Sequence, residues 1–166
     1  MVSTSKEDLF KNVENTLVHQ GFAIVQRDDT RPWGGFFVID EEQAQQFADT
    51  FFDGINVKSL KISGKLSPKI LIVAPHKRLS WQYHNRRAEI WQVYRGEVGV
   101  ICSDTDVEGD VEKLTPGDLI RLEQGERHRL VGLNDWSVLA EIWQHTDPDH
   151  PSDEDDIIRV QDDFGR

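Results

Sequence analysis

The sequence contains little cysteine and no long apolar run. Its one cysteine, Cys102, has no partner within the chain for a disulfide and excludes CxxC zinc or redox motifs. No apolar stretch approaches the ~18 residues of a membrane-spanning helix. The N-terminal segment "MVSTSKEDLFKN" lacks the basic start and apolar centre of a secretory signal. We therefore expect a cytoplasmic protein with no membrane partner.

Positive charge is also scarce. The 166 residues include 19 Lys and Arg against 30 Asp and Glu, which gives a net charge of −11. That balance argues against a nucleic-acid partner, which would need basic surface to neutralise phosphates. The sequence also lacks phosphate loops of the GxxxxGK[ST] and GxGxxG kinds. Clustered basic residues could still hold a small anionic ligand. The clusters are Lys77 with Arg78, Arg86 with Arg87, and Arg127 with Arg129.

The periodicity of apolar residues predicts helices first and strands later. "STSKEDLFKNVENTLVHQG" and "DEEQAQQFADTFFDG" have apolar stripes at helical spacing and each ends at a glycine. From Lys69 onward, short apolar segments alternate with turn residues, which is typical of an antiparallel sandwich or barrel. We expect residues 1–21 to form a helix that packs on the barrel. Residues 22–166 then form a single domain with a helical insertion near 41–53.

Two strand-turn segments carry possible metal ligands. In "WQYHNRRAEIWQVYRGE", strand alternation places Gln82 and His84 on one face, and Glu89 follows across a short turn. A distant segment, "GERHRL", supplies His128. Two imidazoles, a carboxylate and an amide oxygen suit a divalent ion such as Zn, Mn, Fe, Co or Ni. The alternative is that these are unrelated polar residues at strand ends.

The spacing of these segments resembles the two cupin motifs. His84, Glu89 and Gly96 follow the first motif, and the residues from Gly117 to His128 follow the second. Gln82 stands in the first His position, Glu123 where Pro is usual, and Gly132 where Asn is usual.

The Gln in the first ligand position makes the resemblance more specific. "LSWQYHNRRAEIW", residues 79–91, resembles the pattern L-S-x-Q-x-H-x-x-R-A-E-x-W of type II phosphomannose isomerases. That family also forms the C-terminal part of bifunctional mannose-1-phosphate guanylyltransferases, of which we expect only the isomerase part here. "RPWGGF", "GERHRL" and "DEDDIIRVQDDFGR" resemble other family segments in the same order.

The resemblance implies a fold and a reaction. The fold would be mainly β, a cupin-type jelly-roll antiparallel barrel with N-terminal helices. The reaction would interconvert mannose 6-phosphate and fructose 6-phosphate by proton transfer through an enediolate. One divalent metal ion would be held by Gln82, His84, Glu89 and His128. The alternatives are a non-catalytic cupin that binds a sugar phosphate or nucleotide sugar, an isomerase of another sugar phosphate, and an iron-dependent dioxygenase, which Gln82 disfavours.

Six further residues are expected to act on the substrate. Arg87 lies two residues before Glu89, on the same strand face, and is the leading cation for the phosphate or transition state, with a salt bridge to the acidic C-terminal segment as the alternative. The resemblance adds Lys69 and Glu141 as catalytic residues, and Arg31, Arg129 and Arg166 as substrate-binding residues. Simple alternation conflicts with the role of Arg129, because it follows His128 directly.

The sequence does not identify the general base or the oligomeric state. Glu141 competes with His145, a metal-bound hydroxide and Glu89 for the role of base. An exposed sheet edge makes a homodimer a reasonable expectation. The small-molecule partner is expected to be a sugar phosphate.

Overall fold

The computed structural model describes residues 5–60 and 65–165. Helix α1 (Lys6–His19) begins where the Ser5 side chain accepts a hydrogen bond from the Asp8 backbone N–H. It ends before Gly21, whose φ of 89° lies in the left-handed region that favours glycine. The predicted apolar stripe is buried. It comprises Leu9, Phe10, Val13 and Leu17.

Eleven strands are present in the described ranges. In chain order they are β1 (Ile24–Arg31), β2 (Gly34–Ile39), β3 (Lys69–Val73), β4 (Trp81–Tyr83), β5 (Arg87–Arg95), β6 (Val98–Ser103), β7 (Glu112–Leu114), β8 (Leu119–Leu122), β9 (Arg127–Gly132), β10 (Ser137–His145) and β11 (Ile158–Gln161). A short 3-10 helix (Glu41–Gln43) and helices α2 (Ala44–Phe51) and α3 (Val57–Leu60) lie between β2 and β3.

The strands form two antiparallel sheets. The larger sheet has six strands in the order β1-β2-β3-β10-β5-β8, and the smaller has five in the order β11-β4-β9-β6-β7. Consecutive strands of the chain often lie in different sheets, as in β4 to β5 and β8 to β9. The predicted fold class, a mainly β cupin-type barrel with helices, is therefore confirmed.

The central strands of the six-stranded sheet are buried on both faces. β3 and β10 are buried along their whole length, and their side chains alternate between two apolar clusters. Ile70, Ile72 and Ala140 pack on the helices, whereas Leu71 and Leu139 pack on the smaller sheet. The odd-numbered residues within 69–73, 89–93 and 139–143 therefore face the space between the sheets.

No helix of the described ranges is long and apolar enough to cross a membrane. The predicted division into residues 1–21 and 22–166 stays a prediction.

Candidate functional site

The predicted metal ligands meet between the two sheets. Gln82 on β4 and His128 on β9 are direct cross-strand partners, so their side chains share one face of the smaller sheet. Glu89 on β5 faces them from the larger sheet, and His84 follows directly after β4. Two strand-turn-strand segments that are distant in sequence thus bring the polar side chains to one point.

Three ligand atoms converge closely. Glu89 Oε1 lies 2.8 Å from His84 Nε2 and 3.7 Å from His128 Nε2, and the two nitrogens are 3.2 Å apart. All three residues are buried. A separation near 3.2 Å suits two nitrogens that each lie ~2.1 Å from one ion.

Hydrogen bonds at the other ring nitrogens set the tautomers of both imidazoles. His84 Nδ1 lies 2.7 Å from the Asp156 carbonyl oxygen, and His128 Nδ1 lies 3.1 Å from the Glu126 carbonyl oxygen. A carbonyl only accepts, so each Nδ1 carries a proton, and in the neutral imidazole Nε2 is the nitrogen that offers a lone pair. Two such nitrogens and a carboxylate oxygen that converge are donor atoms of the kind that divalent metal ions prefer. The donor set therefore fits a divalent metal ion.

Gln82 is close to the cluster, but its amide nitrogen rather than its oxygen faces the ligands. Its Nε2 lies 3.4 Å from His84 Nε2, and its Oε1 accepts a short hydrogen bond from the Ser80 hydroxyl. A half-turn of the amide would aim Oε1 at the cluster, and Ser80 could then accept from Nε2 instead. Gln82 is thus a fourth ligand only after that rotation.

The charges of the cluster are interdependent. Burial by itself would raise the pKa of Glu89, but the Arg87 guanidinium and the two imidazoles hold it well below its usual range. Burial lowers the pKa of His128 to about 4, against the opposing effect of Glu89. Glu89 is therefore ionised and His128 neutral near pH 7, which are the forms that bind metals.

A cavity opens from this cluster between the sheets. Its polar wall contains two of the predicted ligands and most of the predicted substrate residues: Arg31, Lys69, Gln82, Arg87, Glu89 and Glu141. Its apolar wall includes Trp33, Phe36, Trp91 and Trp143. A cleft that combines aromatic walls with convergent polar groups is typical of a small-molecule site.

Arg87 is buried and makes four polar contacts. Its Nε donates to Glu89 Oε1 at 3.0 Å, and Nη1 donates to the Ser152 hydroxyl at 2.8 Å. Nη1 also donates to the Asp153 carbonyl, and Nη2 lies 3.2 Å from His84 Nε2. The guanidinium lies 3.6 Å from the centre of the Trp143 ring. Arg87 therefore positions the metal ligands as well as facing the cavity.

Lys69 and Glu141 are direct cross-strand partners on β3 and β10. The Glu141 carboxylate accepts hydrogen bonds from the indole nitrogens of Trp91 at 2.6 Å and Trp143 at 2.7 Å. Burial raises the pKa of Glu141 to about 8, the Glu89 carboxylate adds to the rise, and Lys69 opposes it. A buried carboxyl with a raised pKa facing a cavity is suited to proton transfer.

The remaining predicted residues are distributed unevenly. Arg31 lies at the cavity and pairs with Asp28 at 3.0 Å. Arg129 is fully buried away from the cavity, where it donates to the Leu79 carbonyl, Glu108 and Gln161. Alternation after His128 explains this placement, so the structure does not bring Arg129 to the site. Arg166 lies outside the described residues.

His145 is also held away from the cavity. Its Nδ1 accepts from the Ser152 backbone N–H at 2.9 Å, and its Nε2 lies 2.9 Å from the Ser67 hydroxyl. Burial lowers the pKa of His145 to about 4. Both ring nitrogens are thus engaged, Nδ1 by the segment after β10 and Nε2 by Ser67 before β3, which does not favour His145 as the general base.

The segment 152–156 supports the site, a role that the sequence did not predict although the segment belongs to a motif of the family resemblance. The Asp156 carboxylate accepts from the backbone N–H groups of Asn85 and Arg86, each at 3.0 Å. The Ser152 hydroxyl donates to the same carboxylate at 2.6 Å. The only indication in the sequence was the acidic run "DEDD", and such a run is equally typical of a solvated loop.

A known biosynthetic protein is similar to this chain over most of the chain's length. The chain is 28% identical over 158 residues to the alginate biosynthesis protein AlgA of Pseudomonas aeruginosa. The match covers 94% of this chain but 27% of that protein, so the chain spans about a quarter of its relative's length.

Solved structures at low sequence identity show the fold alone. Oxalate decarboxylase from Lactobacillus farciminis has a TM-score of 0.55 at 15% identity, covering 81% of this chain and 33% of that one. KdgF from Halomonas sp. has a TM-score of 0.51 at 15% identity, covering 75% of this chain and 90% of that one.

The family assignment comes from a sequence profile rather than from the fold. The profile described as mannose-6-phosphate isomerase C-terminal matches residues 43–162, which include all four predicted metal ligands. That range is well over half of the chain. The chain therefore belongs to the mannose-6-phosphate isomerase C-terminal family.

Proposed function

We propose that the protein is a metal-dependent aldose-ketose isomerase that interconverts mannose 6-phosphate and fructose 6-phosphate. One observation carries this proposal. Glu89, the carboxylate of the His84, Glu89 and His128 cluster, lines a single cavity together with the buried carboxyl group of Glu141 and the ammonium of Lys69. Membership of the isomerase family supports the same reaction.

The metal would be held by His84, Glu89 and His128, with Gln82 added if its amide rotates. A bound divalent ion acts as a Lewis acid that stabilises negative charge on the sugar oxygens. Imidazole and carboxylate ligands are compatible with Zn, Mn, Co, Fe or Ni.

The chain's own residues would move the proton and hold the substrate. The ionised form of Glu141, which is the minor form near pH 7 because the pKa is about 8, would take the proton from C2 of mannose 6-phosphate. It would then return the proton to C1, with an enediolate between the two transfers. The two indole N–H groups that contact Glu141 fix its orientation. Lys69, whose ammonium lines the same cavity, would bind the phosphate of the substrate. Arg31 would hold the phosphate from the rim of the cavity.

One observation favours a second candidate, a non-catalytic cupin that binds a sugar phosphate or nucleotide sugar. The Arg87 guanidinium donates to Glu89, Ser152 and Asp153. The Arg87 guanidinium, the cation nearest the cluster, therefore already donates its hydrogen bonds to groups of the protein. In such a binder, Arg87 would maintain the pocket without acting on a substrate.

A direct assay distinguishes the two candidates. Purified protein, loaded in turn with Zn, Mn, Co, Fe and Ni, is given mannose 6-phosphate or glucose 6-phosphate, and fructose 6-phosphate is measured. We expect turnover with mannose 6-phosphate for at least one metal. Absence of turnover with every metal, at one bound equivalent, would favour the binder. Turnover with glucose 6-phosphate alone would indicate an isomerase of another sugar phosphate.

Variants of the proposed base make the assay specific. Glu141→Gln should retain its metal and lower kcat by about 10²- to 10⁴-fold, the usual contribution of a general base. Glu123→Gln is the matched control, because Glu123 is exposed and pairs with Arg121 at the surface. Equal kcat values in both variants would contradict the role of Glu141.

A further inference from the structure

The Lys69 ammonium is a buried cation whose carboxylate partner comes from the surface. Its Nζ lies 4.1 Å from the centre of the Trp143 ring and 4.7 Å from that of Phe36. The carboxylate partner is Glu154, with Oε1 at 2.5 Å. The Lys69 side chain is 5% exposed, whereas that of Glu154 is 51% exposed. A buried ammonium needs an anion, but nothing in this geometry requires the anion to belong to the protein.

Glu154 lies in the segment between β10 and β11 and lines the same cavity as Lys69, Arg31 and Arg87. Its carboxylate therefore takes the place that an incoming anion would take. Arg159 lines this cavity as well, so its four cations outnumber its three carboxyl groups, which belong to Glu89, Glu141 and Glu154. An anion that reaches Lys69 would meet these cations and the Glu154 carboxylate together.

The backbone on both sides of Glu154 is fixed. Ser152 donates its N–H to His145, and the Asp153 carbonyl accepts from Arg87. The Asp156 carboxylate and carbonyl are held by backbone N–H groups and by His84. The Glu154 side chain can thus rotate towards solvent while these anchors stay in place. Such a rotamer change in an exposed side chain takes picoseconds to nanoseconds.

We propose that Glu154 is an internal counter-ion at the phosphate position, and that the phosphate of the substrate binds Lys69 by displacing the Glu154 carboxylate. The inference rests on the proposed function in taking the ligand to be a sugar phosphate. A phosphate monoester carries about −1.5 to −2 charges at pH 7 and can displace a carboxylate with one. A neutral sugar cannot, so Glu154 would select phosphorylated sugars over free ones.

Binding of inorganic phosphate tests this without any reference to catalysis. Wild type, Glu154→Gln and Asp155→Asn are titrated with phosphate by calorimetry at constant ionic strength in chloride. Asp155→Asn is the matched control, because Asp155 is exposed and the change removes the same charge one residue away. We expect Glu154→Gln to bind phosphate about two- to fivefold more tightly, as loss of a weak competing ion pair predicts. Asp155→Asn should match wild type.

A second measurement identifies where the phosphate binds. The side-chain ¹⁵N signal of Lys69 should shift on phosphate addition in Glu154→Gln at lower concentrations than in wild type. Equal or weaker phosphate affinity in Glu154→Gln would overturn the proposal. So would tighter binding that leaves the Lys69 signal unmoved.

Steady-state kinetics separate this inference from the isomerase proposal. In an active enzyme, Glu154→Gln should lower the KM for mannose 6-phosphate by the same factor and leave kcat within twofold. A tenfold fall in kcat would show that Glu154 acts in the reaction and would overturn its role as a displaced counter-ion. If the wild type has no isomerase activity, the phosphate titration still decides the role of Glu154.

Discussion

At the scale of single residues, backbone carbonyls decide what the two histidines can do. The Asp156 and Glu126 carbonyls accept from the Nδ1 atoms of His84 and His128, which directs both Nε2 lone pairs towards Glu89. Such contacts behind the ligands fix ring orientation and the tautomer in metal sites. The cluster is therefore arranged for a cation before any ion binds.

This arrangement leads to a prediction about metal binding. We expect wild type to bind one Co²⁺ or Zn²⁺ and to gain about 4 kcal/mol of unfolding free energy at a metal concentration 1,000-fold above Kd. His84→Ala should lose that gain, because one of the three convergent ligands is removed. Urea unfolding with and without metal, together with bound-metal analysis, measures both effects.

His19→Ala is the control for that experiment, because His19 is an exposed residue at the end of α1. It should retain the bound metal and the stability gain. If His84→Ala keeps both, then the cluster is not the metal site.

One departure from the cupin pattern also has a residue-scale explanation. Gly132 stands where the second motif usually has Asn. A Cβ atom at this position would lie 2.0 Å from the Ala74 carbonyl oxygen and 2.9 Å from that of Lys77. The close approach of the segment before β4 therefore requires glycine here.

At the scale of elements, the segment between β10 and β11 depends on a neutral His145. His145 is fully buried, and its Nδ1 must be unprotonated to accept from the Ser152 N–H. The segment in turn positions Arg87 and His84 through Ser152, Asp153 and the Asp156 carbonyl. Protonation of the His145 imidazole should therefore make the segment between β10 and β11, which forms one wall of the cavity, less well ordered.

The pH dependence of stability follows from the pKa of His145. Its pKa is about 4 in the folded protein and 6.5 when unperturbed, so the unfolded chain binds more protons between these values. The contribution of neutral His145 to the free energy of unfolding is therefore fully present above pH 6.5 and is lost as the pH falls towards 4.

A variant isolates this contribution from that of other groups. In His145→Asn, the loss of unfolding free energy between about pH 6.5 and pH 5 should be roughly 1–2 kcal/mol smaller than in wild type. Asn can still accept from the Ser152 N–H but does not titrate. Urea unfolding at both pH values provides the comparison, and parallel pH curves for the two proteins would contradict the role of His145.

At the scale of the whole molecule, the six-stranded sheet separates two cores. One core joins the sheet to the helices and contains Phe22, Phe47 and Phe51. The other lies between the sheets and contains Leu71, Leu139 and Trp91 below the site. The helical core should therefore contribute to stability without contacting the metal ligands.

The separation of the cores predicts that stability and metal binding can be changed independently. Phe47 is fully buried, and its ring contacts those of Phe22, Phe51 and Phe52. Phe47→Ala should lower the unfolding free energy by about 3–5 kcal/mol. The Co²⁺ absorption spectrum of the folded variant should match that of wild type.

The control for Phe47→Ala is Val18→Ala, an exposed apolar residue of α1 that is 60% accessible. Its effect on stability should stay within about 0.5 kcal/mol. An altered Co²⁺ spectrum in folded Phe47→Ala would show that the two cores are not independent.

Much of the architecture could be predicted because it depends on local patterns. The apolar stripe of α1 and the alternation in β5 and β10 repeat at the spacing of one helix or strand. The turn glycines mark where such an element ends. Alternation also predicted correctly that Arg129 points away from His128. Family resemblance alone placed it at the substrate, and the structure does not bring it there.

The sequence by itself determined the two apolar periodicities, the spacing of His84, Glu89 and His128, and the shortage of positive charge. These properties are local and need no knowledge of the fold. Tertiary structure alone decided that His145 anchors a segment, that Gln82 turns its amide nitrogen inward and that Glu154 neutralises Lys69. Lys69 and Glu154 are 85 residues apart, and their ion pair exists only because β3 and the segment after β10 meet at one cavity. Contacts at that separation depend on strand order, which no local periodicity encodes.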